Sequence, residues 1–173
     1  LPVGNALVFV FRTPALSYQE VAIAKLTEQH QHITAVTRFA GLLATVATAG
    51  LALVAWTPLA DLWLQTVSGL AADLARYAVV PLRILCLMPA LSVLLNLQRA
   101  LLVYTRRTGP VTSASMLEVA GIAAVLAAGV LGTSAVGVTV AAVAYMVGRL
   151  AANLNLARPA WRAAARDASA PRA

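Results

Sequence analysis

Five ionisable residues stand inside otherwise apolar stretches of this chain: Arg12, Arg83, Arg99, Glu118 and Arg149. An ionisable group well inside a membrane-spanning helix costs about 2.5 to 3.5 kcal/mol on insertion scales, so it faces a cavity, a partner or the headgroups. Four of the five are arginines, whose guanidinium forks attract anions. The chemistry they predict is substrate binding or gating. Arg83 lies about one turn inside the outer end of its span, where the stem can snorkel to the headgroups.

Depth groups three of them. At a rise of 1.5 Å per residue, Arg99 lies roughly 9 Å above a turn at Arg106, Glu118 roughly 12 Å above Pro110, and Arg149 roughly 10 Å above Leu156. They share a level. Because the short turn at 105–110 makes its two helices antiparallel neighbours, Glu118 is expected to pair with Arg99, with Arg149 joining them. The pair is either structural or a gate, since a carboxylate between two arginines titrates differently once water enters. Asn96, Gln98 and Tyr145 supply further polar groups, for a pathway or for interhelical hydrogen bonds.

Other chemistry finds little support. His30 and His32 stand in a polar connector with no further metal-ligating spacing, so no metal is expected. Cys86 is the single cysteine and reads as packing. Ser17, Ser68 and Ser113 have neither a base partner nor a nucleophile-elbow context, and no phosphate-cradling glycine loop occurs. No enzymatic activity and no cofactor are expected.

The elements that carry these residues follow from hydropathy. The chain is 61% hydrophobic and 11% charged, with a mean hydropathy of +0.82, which no soluble domain of this size matches. About 20 apolar residues of helix cross a bilayer, and the segments 34–57, 78–104, 111–132 and 134–154 meet or approach that length. In lipid each must be a helix, which satisfies its own backbone amides. A weaker fifth span, 3–24, contains Arg12 and Pro14, so a kink or close protein neighbours are expected there. The fold class is therefore all-α, a multi-pass transmembrane bundle of about five helices.

Thirteen Lys and Arg against 6 Asp and Glu give a net charge of +7. They are dispersed without an aromatic platform, so loop bias explains them and nucleic acid is not an expected partner. Lys25 and Arg38, then Arg106 and Arg107, then Arg158, Arg162, Arg166 and Arg172 alternate with loops holding Arg76, Asp61 and Asp73. By the positive-inside rule the N-terminus is outside and the C-terminus cytoplasmic, in a plasma (inner) membrane. An amphipathic interfacial helix is expected over 61–77, with Trp56 and Trp63 in the aromatic belt. Small residues four apart, Ala128 and Gly132 against Ala144, Gly148 and Ala152, predict close packing of the last two spans. The basic segment 157–173 is expected to form at most a short surface helix, dispensable for folding. The first residue is Leu1, without signal-peptide order behind it, and five helices form an asymmetric unit, so the end of a longer, repeat-built transporter is expected.

One family resemblance fits these segments. Trp56-Thr57-Pro58, Val79-Val80-Pro81-Leu82-Arg83-Ile84 with Pro89, Arg106-Arg107-Thr108, Leu131-Gly132 and Val136-Gly137 resemble the C-terminal half of the progressive ankylosis family. That family is a distant relative of the multidrug, oligosaccharidyl-lipid and polysaccharide exporters. The resemblance covers residues 35–149; the chain is richer in alanine and has arginine at lysine-type positions. It implies the last five of roughly twelve helices, with an N-terminal half as partner. It also implies outward movement of pyrophosphate, nucleotide or citrate by alternating access. A lipid-linked sugar flippase, a cationic multidrug antiporter and a non-transporting scaffold are the alternatives. Four arginines against one glutamate favour an anion.

Overall fold

In a computed structural model, which describes residues 2–28, 33–132 and 137–169, the chain is an all-α bundle with no strand among those residues. The helices are α1 (Pro2–Glu28), α2 (Ile33–Trp56), a short α3 (Leu59–Asp61), α4 (Ala72–Ile84), α5 (Met88–Tyr104), α6 (Gly109–Gly132) and α7 (Gly137–Ser169). Four membrane-crossing segments are long and apolar enough: Ile33–Trp56, Ala72–Tyr104, Gly109–Gly132 and Gly137–Ala165. The protein is a multi-pass membrane protein. The expected fifth span is the 27-residue α1, long enough to cross but less apolar than those four.

Packing explains why α1 holds together around Pro14, which has no N–H to give the preceding turn. Neighbours clamp it on two sides. Ala15, Tyr18, Ala22 and Leu26 are buried against Val36 and Ala40 of α2 and against Val93, Leu97 and Leu101 of α5. Tyr18 Oη donates to the Val36 carbonyl at 2.9 Å, and Asn96 Nδ2 donates to the Ala15 carbonyl. At the other end Leu7 and Val8 meet Leu51 and Ala55 of α2 and Leu82, Leu85 and Met88. Thus α1 and α2 are antiparallel, and α1 runs alongside α5.

Helices α4 and α5 form one crossing interrupted by a 3₁₀ turn at Leu85–Leu87. Pro89 supplies the reason, because it cannot donate to the carbonyl four residues back and sits in the first turn of α5, where no donor is needed. The expected interfacial helix over 61–77 is not one element. Its first half is a π-helical stretch, Leu62–Val67; the chain then turns at Gly69 with φ +65°, and its second half belongs to α4. Only glycine adopts that φ freely, so the residue decides where the interfacial segment ends.

The turn after α5 is closed by two backbone bonds, Arg107 N to the Leu102 carbonyl and Arg106 N to the Val103 carbonyl, with Arg106 at φ 56°. This is a Schellman cap with arginine in the place glycine usually takes. It returns the chain as α6, which pairs with α7 in four rungs: Ser113 with Asn155, Glu118 with Arg149, Gly121 with Gly148, and Gly129 with Val140. Close packing of the last two spans is present, through Gly148 as expected. On the α6 side it uses Gly121 and Gly129, whereas Ala128 is exposed and a Cβ at Gly132 would meet no neighbour within 4 Å.

Beyond 156 the structure departs from expectation. α7 continues unbroken through Pro159 to Ser169. Ala160 and Ala163 are buried against Leu95, Leu102 and Ala114, and Ala164 joins the cluster of Leu26 and Leu101. Small side chains that look like filler in a basic tail are the ones that allow helix contact. Truncation after Leu156 is therefore expected to cost at least about 2 kcal/mol, three buried methyls at about 0.8 kcal/mol each. A thermal unfolding curve in detergent identical to that of the intact protein would show that 157–169 packs without consequence.

Candidate functional site

The same topology that pairs α6 with α7 and lays α1 and α7 along α5 brings four of the five candidate residues into one region of the bundle. Arg12 reaches across from α1, its Nε donating to Ser92 Oγ of α5 at 3.1 Å. About two turns further along α5, Arg99 Nη2 donates to Ser115 Oγ of α6 at 3.2 Å. Glu118, one turn on from Ser115, accepts from Arg149 Nη2 of α7 at 3.2 Å, with side chains only 15% and 13% exposed. Arg12 lies within electrostatic reach of Glu118 and Tyr145, and Arg149 within reach of Glu118, Arg12 and Arg99. Three arginines and one glutamate form a belt across the bundle.

Polar neighbours line its edges. Ser92, Asn96, Gln98 and Asn153 are buried, and Asn153 Nδ2 donates to the carbonyls of Leu91 at 3.2 Å and Arg149 at 2.8 Å. Gln98 Oε1, Asn153 Oδ1, Arg99 Nε and Arg149 Nε are shut away without a hydrogen-bond partner among the described residues. A buried polar atom left unpaired costs about 1 to 3 kcal/mol. Such a concentration of unmet donors and acceptors is unusual packing for helices held by lipid.

The expected Arg99–Glu118 pair does not form. Adjacent turns of α5 and α6 diverge from the 105–108 turn, and Arg99 stops at Ser115, whereas α6 and α7 stay in contact through their glycines and bring Arg149 within reach. Arg12, placed on an isolated span by sequence, joins the belt because α1 packs on α5. Arg83 does not. Its Nε donates to the Ala55 carbonyl at 3.3 Å and its guanidinium carbon stands 4.9 Å from the Trp56 ring centroid. The side chain satisfies a carbonyl in the last turn of α2, which has no partner within its helix, and stacks on an interfacial tryptophan. Tyr145 is half-exposed beside the belt.

Sequence reasoning overlooked Ser92, Ser115 and Asn153. A signal existed: they lie seven residues before Arg99, three before Glu118 and four after Arg149, each on the same helix face as a belt charge of its own helix. Among the other residues considered, Ser17 is exposed, Ser113 bonds Pro110 and Asn155, Cys86 is buried, and His30 and His32 lie outside the described residues.

Fold and site together define a class: a polytopic helical membrane protein with a cationic polar belt inside its bundle. No family model, curated protein or solved structure matches the chain.

Proposed function

We propose that the chain is part of a secondary transporter that moves a small anionic solute, such as pyrophosphate, a nucleotide or citrate, by alternating access. The observation that carries this reading is the belt's composition, three arginines against one carboxylate from four helices. Charges this deep face a pathway or a partner, and the surplus is positive. A cationic-drug pump would present carboxylates. The resemblance to the progressive ankylosis family supports the same class of solute.

The proposed orientation puts the C-terminus in the cytoplasm, in a plasma membrane, with α1 as a fifth crossing. Exposed Lys25, Arg38, Arg106, Arg107, Arg158 and Arg162 gather at one end of the bundle, and Asp61, Asp73, Arg76 and Arg83 at the other. The basic end is the one that resists translocation. In a Cys86→Ala background, a cysteine at Ser68 should label from outside the cell and one at Arg162 only after permeabilisation. Labelling of the Arg162 position in intact cells would reverse the topology.

Transport is tested with the natural full-length protein in liposomes loaded with labelled pyrophosphate, ATP or citrate. Arg99→Gln and Arg149→Gln should each abolish efflux, and Arg83→Gln should retain it. A folded protein that moves none of the three, or full flux in the belt variants, would refute the reading.

A further inference from the structure

We infer that the belt takes a divalent oxyanion and that Glu118 is the internal counter-charge that sets this valence. The inference rests on the anion-transport reading and specifies its ligand. Every helix around the belt contributes a known group: Arg12 from α1, Arg99 from α5, Glu118 from α6, and Arg149 with Tyr145 from α7. Among the described residues Glu118 is the only carboxylate ion-paired with a belt arginine, at 3.2 Å from Arg149 Nη2. The belt without ligand therefore carries two positive charges in excess.

An uncompensated charge inside a helical bundle is costly. A monoanion leaves half of the excess, a dianion cancels it, and a trianion reverses it. Oxygen ligands are selected by the donors, because guanidinium forks match oxyanions through paired hydrogen bonds. Ser92 and Ser115 already hold Arg12 and Arg99 toward the belt at 3.1 and 3.2 Å. Sulfate, hydrogen phosphate and dicarboxylates have the right charge, as do the partly protonated forms of citrate and pyrophosphate.

The valence is adjustable in both directions. Arg99→Gln lowers the excess by one, Glu118→Gln raises it by one, and Glu118→Gln with Arg149→Gln leaves it unchanged. Calorimetric titration at low salt of the natural full-length protein in detergent, with acetate, sulfate and fully ionised citrate, reads the consequence. Close charge pairs couple strongly enough that each step should be worth at least about tenfold in affinity. The intact protein should bind sulfate at least about tenfold more tightly than acetate, with little further gain for citrate. Arg99→Gln should narrow the gap between sulfate and acetate by a similar factor. Glu118→Gln should favour citrate. The double variant should keep the order of the intact protein, and with Arg99→Gln it decides the matter even where Glu118→Gln does not fold.

Equal binding of acetate and sulfate, binding of none of the three, or one charge order in every variant would overturn the inference. Efflux in liposomes without a charge order in binding would sink this inference and leave the transport reading standing. Sulfate binding as described without efflux of any anion would do the reverse.

Discussion

Glu118→Gln is expected to destabilise the folded protein by about 3 to 5 kcal/mol, the largest effect of any single substitution in the belt. The neutral amide leaves Arg149 without its partner at 3.2 Å, with Arg12 and Arg99 still close by. Three guanidinium groups then repel one another in a low-dielectric interior. Breaking a buried pair costs more than deleting it, because one charge is left uncompensated. Combining Glu118→Gln with Arg149→Gln should therefore recover much of the loss. Glu118→Gln with Arg99→Gln should recover less, since Arg99 bonds Ser115 and not the carboxylate. Thermal unfolding in detergent of the singles and both doubles completes two mutant cycles. Strict additivity in the Arg149 cycle would mean that the ion pair is absent in the membrane.

The second large effect falls on Gly148. A Cβ at this position would stand 2.8 Å from the Glu118 carbonyl oxygen and 2.6 Å from Ile122 Cγ1. Ile122 can rotate, but the carbonyl belongs to the α6 backbone and cannot yield without moving the helix. Alanine gains about 1 kcal/mol over glycine in helix propensity. Overpacking of this kind costs about 1 to 3 kcal/mol, and the shift also draws Arg149 away from Glu118. Gly148→Ala should thus lower stability and belt function together. Gly121→Ala is the control, because its Cβ meets Gly148 Cα at 3.5 Å, an ordinary contact. It should be neutral or stabilising. Equal behaviour of the two variants would show that α6 and α7 do not approach as closely as described.

Much of the fold was legible from hydropathy alone. The spans at 34–57, 78–104, 111–132 and 134–154 each correspond to a crossing helix, with ends shifted by a few residues or extended where a helix outruns the bilayer. Boundaries failed where local backbone chemistry competes with apolar pattern. The interfacial segment broke at Gly69 because one left-handed residue outweighs a row of spaced leucines. Past Leu156 the opposite happened: alanines too small to signal burial pack closely, and α7 runs on to Ser169.

For the belt, sequence alone determined which residues are costly in lipid, and Arg12, Arg99, Glu118 and Arg149 are four of the five it singled out. Insertion energy depends on residue type and depth, both of which a linear chain carries. It also determined the common level of Arg99, Glu118 and Arg149, through the fixed rise of a helix. Partner choice was another matter. Glu118 could reach either α5 or α7, and only the glycine-mediated approach of α6 to α7, set against the divergence of α5 from α6, decided for Arg149. Arg12 and Arg83 are both arginines near prolines in apolar helices, and depth already set Arg83 one turn from a helix end, with Arg12 well inside its span. Tertiary packing turned one inward onto Ser92 and left the other at the rim against Trp56, because a helix's rotation about its axis is set by neighbours far away in the chain.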